Sequence, residues 1–144
     1  MKTVVEKPYL IFLLSIPMVL LIGVLSGDTA FDINVHDTYF VIAYSHLTTL
    51  ISFVFGVIGI GYWTMYKTNR ALSQWLNGIH IGLTFGGAII VWIMTLFYGD
   101  EIMEYELNNN LSFVITLVIA IMVLGQIIFP INIIYGLIKG KNIT

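Results

Sequence analysis

Cysteine is absent from the 144 residues. Disulfides, thiolate metal sites, iron–sulfur clusters and thioether-attached haem are therefore excluded. Charge is also scarce, at 10% of residues, where an ordinary soluble domain carries about 25%. The net charge of −2 gives no electrostatic footprint for a nucleic-acid partner. Linkers, internal repeats and low-complexity tracts are missing as well. In their place are apolar residues, 58% of the chain, with a mean hydropathy of +0.95. That composition belongs to integral membrane proteins.

Four apolar runs, at about residues 8–26, 39–66, 74–98 and 111–138, are long enough to cross a ~30 Å hydrocarbon core as helices. The first follows Lys2 and Lys7 as a signal peptide would. Its apolar stretch is long for such a peptide and no A-x-A cleavage site follows, so it reads as a retained span. Pro17 and Pro130 fall inside runs, where neighbouring helices can satisfy the freed carbonyls. The spacing Gly82-x-x-x-Gly86 predicts a close helix contact.

Charge placement predicts the orientation. All six basic residues (Lys2, Lys7, Lys67, Arg70, Lys139 and Lys141) lie at the termini or in the middle loop. Seven of the eight acids occupy the other two loops, at Asp28, Asp32, Asp37, Asp100, Glu101, Glu104 and Glu106. By the positive-inside rule both termini are cytoplasmic. The expected fold is one all-α integral membrane domain over residues 1–144, an antiparallel four-transmembrane-helix bundle with short loops.

The stretch "HDTYFVIAYSH", residues 36–46, concentrates the residues capable of chemistry. His46 falls about seven residues inside the second run, roughly 10 Å below the outer boundary. An ionisable group at that depth faces a partner, a cavity or a cofactor, and neutral imidazole ligates metals and haem iron. The competing reading is a histidine hydrogen-bonded to a neighbouring helix. His80 lies near the opposite edge of the third run, about 10 Å away in depth. One iron shared by both within a single chain is not expected, and helix packing is the favoured role for His80. His36 and Asp37 could contribute to a Mg²⁺ or Mn²⁺ site. Alternatively, Asp37 or Thr38 caps the second helix. The acidic segment "GDEIMEYELNNN", residues 99–110, reads as a solvated loop, with a basic partner as the alternative.

The segment "FDINVHDTYFVIAYSHL" resembles the His-Asp-Thr-Tyr region of the cytochrome c oxidase subunit I (haem–copper oxidase) family. "LNGIHIGLTFGG" and "IIYGLIKGKN" resemble the family's following helix and final helix, in that order. "GDTAFDI", with the first run, is similar to the helix before the motif. The likeness covers nearly all of this chain but only the last third of that subunit.

The resemblance implies that His46 matches the low-spin haem ligand, for a b- or a-type haem. It implies a Mg²⁺ or Mn²⁺ role for His36 and Asp37, and assigns His80 no ligand role. Tyr44 stands where the high-spin haem's histidine would be, and a packed tyrosine is expected there. The copper-bearing helices have no counterpart here, so no copper is expected, nor oxygen reduction by this polypeptide alone. The arginines that meet haem propionates are replaced by the acidic "YGDEIMEYEL".

The resulting expectation is a small haem-binding protein of respiratory electron transfer in the lipid bilayer of the bacterial cytoplasmic membrane. Its second axial ligand would come from a homo-oligomer or another respiratory subunit. The alternatives are a non-catalytic accessory or assembly subunit without cofactor, and one fragment of a split subunit I.

Overall fold

The computed structural model describes residues 5–35, 38–97 and 105–140. Helix α1, Pro8–Leu25, opens with a proline in its first turn, where a missing N–H costs nothing. It continues through Pro17. A two-stranded antiparallel ribbon follows, β1 at Ala30–Val35 and β2 at Thr38–Ala43. Helix α2 is Tyr44–Lys67. Helix α3, Gln74–Ile81, passes through a π-turn at Gly82–Gly86 into α4, Gly87–Thr95. Helices α5, Tyr105–Gly125, and α6, Ile128–Lys139, form the last span.

Four continuous stretches are long and apolar enough to cross a membrane: Pro8–Leu25, Tyr44–Lys67, Gln74–Thr95 and Leu107–Lys139. The expected helical membrane bundle is therefore present. The ribbon is an addition to it. In β1, Phe31, Ile33 and Val35 alternate with Asp32 and Asn34, a period-two pattern suited to a strand.

The ribbon corrects one expectation. Helix α2 is not capped by Asp37 or Thr38, because Ala43 stands at its N-cap and no side chain accepts there. Thr38 is in β2, and His36 and Asp37 lie outside the described residues. The helix start is tied instead to the beginning of the ribbon, where Tyr44 N–H donates to Thr29 O at 3.2 Å.

Lipid gives no hydrophobic drive for helix association, so close packing and buried hydrogen bonds hold such a bundle together. Helix α1 lies along α2, with Gly23 against the side chain of Thr48. A Cβ on Gly59 would come within 2.6 Å of Leu13. On α6, a Cβ on Gly136 would meet Met65 at 2.6 Å and the Ala71 carbonyl at 3.3 Å. Gly82 and Gly86 behave otherwise. A Cβ on either would meet nothing within 4 Å, so their spacing does not mark a helix contact. They bound the π-turn instead.

Candidate functional site

The core lies toward the end of the bundle that carries Lys7, Lys67, Arg70 and Lys139, called here the basic end. Phe12, Phe55, Ile58 and Tyr62 form its apolar cluster. His80 is fully buried against it, its ring stacked on Phe12 with centroids 5.0 Å apart. Both ring nitrogens are engaged, Nδ1 with Tyr62 OH at 2.9 Å and Nε2 with Gln126 Oε1 at 3.0 Å.

The orientation of Gln126 identifies the tautomer. Its Nε2 donates to Thr84 Oγ1 at 3.0 Å and to the Met122 carbonyl at 2.9 Å. A flipped amide would set two carbonyl oxygens against each other, so Oε1 must face the histidine as an acceptor. His80 therefore carries a proton on Nε2, and in the neutral ring Nδ1 accepts from Tyr62. Nothing on this imidazole is left for a metal.

Local backbone irregularities assemble this network. Pro130 has no N–H to offer the Gln126 carbonyl one turn back. Phe129 N takes that carbonyl at 3.2 Å, and a turn separates α5 from α6. The π-turn in turn carries Thr84, which is buried at the Gln126 amide. Close by, Asn132 Nδ2 donates to Asn77 Oδ1 at 2.6 Å, and Asn77 Nδ2 donates to Val5 O at 2.8 Å. Ser73, the N-cap of α3, donates its N–H to Asn132 Oδ1 at 2.9 Å. Sequence reasoning missed Tyr62, Gln126, Asn77 and Asn132. The available signal was four hydrogen-bonding side chains inside apolar runs, where each needs a partner.

His46 has the opposite setting. It is the third residue of α2 and is exposed. Leu50, Phe53 and Val57 continue its face at 61%, 70% and 51% exposure, so the imidazole stands on an apolar stripe turned away from the bundle. It makes no hydrogen bond among the described residues. Because α2 begins at Tyr44, His46 lies in its first turn rather than seven residues inside a helix.

Tyr62 lies about 24 Å further along α2 at ~1.5 Å per residue, and His80 is bonded to Tyr62. His46 and His80 of one chain are thus far too distant to meet at one iron. Tyr44 is half-buried, its ring 6.1 Å from that of Phe31. Among the described residues, no three His, Cys, Asp or Glu side chains come together.

Fold and site define a polytopic membrane protein with one internally satisfied histidine and one turned outward. The sequence profile described as "Cytochrome C and Quinol oxidase polypeptide I" matches residues 1–128. The chain belongs to that family. It is 29% identical over 129 residues to cytochrome c oxidase subunit 1 of Synechocystis sp., covering 85% of this chain. Against the Thermostichus vulcanus subunit 1 it is 31% identical over 126 residues, 83% of this chain. The alternative cytochrome c oxidase subunit 1 of Bradyrhizobium diazoefficiens is 25% identical over 134 residues, 84% of this chain. The chain spans 23% of the length of each of these three relatives. No solved structure matches it.

Proposed function

We propose that the chain is a subunit-I-like component of a respiratory complex in the bacterial cytoplasmic membrane, and that His46 serves there as a haem axial ligand. The observation that carries this reading is the outward, unpartnered imidazole of His46, at the family's ligand position. His80 has both nitrogens occupied. Among the described residues no other imidazole is open to share an iron with His46, so the second ligand is assigned to a second copy or another subunit. A haem bound there would supply one-electron transfer. Two His46 rings from paired protomers would lie at one depth, as bis-histidine ligation requires. The test is a reduced-minus-oxidised spectrum with haem-to-chain stoichiometry. Paired protomers give one haem per two chains, whereas one haem per isolated chain contradicts ligation in trans.

A second reading is favoured by Tyr44, which packs on Phe31 at the position of the family's high-spin ligand, and by the acidic segment at residues 98–107. Under that reading the chain is an accessory or assembly subunit without haem, and well-folded protein shows no haem spectrum. A third is one fragment of a split subunit I, for which the remaining helices would be encoded nearby.

Two further assignments accompany the first reading. His36 and Asp37, between the paired residues Val35 and Thr38, contribute to a Mg²⁺ or Mn²⁺ site. Chelation then lowers the melting temperature by removing the linked binding energy; an unchanged melting curve in excess chelator contradicts the metal. Both termini face the cytoplasm, a reading supported by the basic residues gathered at their end of the bundle.

A further inference from the structure

At the basic end, three lysines lie over aromatic rings. Lys7 is 5.5 Å from the centroid of Tyr66, Lys67 5.7 Å from Trp63, and Lys139 5.4 Å from Tyr135. Such pairs hold ammonium groups at the level where a membrane meets water. Arg70 is anchored differently. Its Nη1 donates to the Leu137 carbonyl of α6 at 3.2 Å. The turn before it is tight, with Asn69 at φ +52° and Arg70 N donating to Met65 O at 3.0 Å.

A recess of about 360 Å³ opens between the end of α2 and α6. Thr64, Lys67, Thr68, Asn69, Arg70 and Leu137 line it, and none of its lining residues is acidic. Glu6 lines the neighbouring recess of about 270 Å³, which shares Asn69 and Arg70. Both threonine hydroxyls of the first recess donate to their own helix, Thr64 to Ile60 O and Thr68 to Thr64 O. Among the described residues its free donors are therefore the Lys67 ammonium, the remaining Arg70 N–H groups and the Asn69 amide. Two cations and an amide around one recess suit a phosphate.

The surroundings identify which phosphate. Ile60 and Val57 run up the same face of α2 from Thr64, at 59% and 51% exposure, and Leu137 is exposed across the recess. An acyl chain descending from the headgroup would follow that apolar row. We propose that this recess seats the headgroup phosphate of an anionic phospholipid, with Lys67, Asn69 and Arg70 as its ligands. A zwitterionic lipid brings an ammonium that two cations repel.

The test uses the full chain in detergent, titrated with dioleoylphosphatidylglycerol or dioleoylphosphatidylcholine, with bound lipid counted by native mass spectrometry. The wild type should retain one phosphatidylglycerol in preference to phosphatidylcholine. Lys67→Gln should weaken that binding about fivefold, the effect of one surface cation, and Arg70→Gln at least as much. Lys7→Gln removes the same charge from the same end outside the recess, and should weaken it less than about twofold. Lys67→Gln keeps the test valid if Arg70→Gln, which also loses the α6 contact, fails to fold. Equal retention of phosphatidylcholine, an equal loss in Lys7→Gln, or displacement of the lipid by inorganic phosphate would each overturn the proposal.

Discussion

His80 and His46 are the same residue placed at opposite ends of one bundle, with opposite surroundings. Around His80 a tyrosine, a glutamine, a threonine and a main-chain carbonyl form a closed hydrogen-bonded set under an aromatic lid. Around His46 there is an apolar helix face and no partner among the described residues. Within the spans, Ser52 Oγ on α2 and Thr116 Oγ1 on α5 are buried without partners among the described residues. A membrane histidine is therefore informative only through its surroundings. The one enclosed by donors and acceptors holds helices together, and the one facing outward is available to a group from outside.

Substitutions should separate the two ends. The largest stability effect is expected at His80→Ala, which leaves a cavity and strands Tyr62 OH and Gln126 Oε1. A loss of about 2–4 kcal/mol is expected in a reversible unfolding assay in detergent. A loss under about 0.5 kcal/mol would mean that the network contributes nothing to the bundle. Tyr62→Phe keeps the ring and removes one donor. It should cost about 0.5–1.5 kcal/mol, because hydrogen bonds in membranes are modest. Asp37→Ala should stay within about 0.5 kcal/mol in metal-free buffer, since α2 has no side-chain cap to lose. A full cap loss of about 1 kcal/mol there would contradict the observed helix start. Orientation separates the ends in a different way. Cysteines introduced at Thr29 and Asn109 should react with an impermeant reagent in intact cells, and one at Thr68 should not. Labelling at Thr68 would reverse the topology.

The four spans could be read from the sequence because uninterrupted apolar length is a strong signal. The ribbon could not. Tyr39 to Ala43 are apolar or aromatic without a break into α2, so helix and strand share one hydrophobic profile there. The polar alternation of β1 at Asp32 and Asn34 was the one cue, and neither residue favours strands. His46 as the residue of interest was visible through its motif, but its direction was not. Outward placement depends on where α2 begins, and that start is tied to the Thr29 carbonyl rather than to a capping side chain. The His80 network was hidden for a similar reason. Gln126 reaches His80 because the last span is interrupted between α5 and α6 ahead of Pro130, and the geometry of that interruption follows from packing rather than composition.

The central claim is that the outward histidine binds the haem and the inward one holds the bundle. Paired reduced-minus-oxidised spectra of His46→Ala and His80→Ala, each normalised to folded protein, test it most directly. In haem-free protein His46→Ala should keep its stability within about 0.5 kcal/mol, as an exposed site does, and on reconstitution it should lose the haem spectrum entirely. His80→Ala should lose stability and keep the spectrum in the fraction that remains folded. Haem retained at full stoichiometry in His46→Ala would contradict the account.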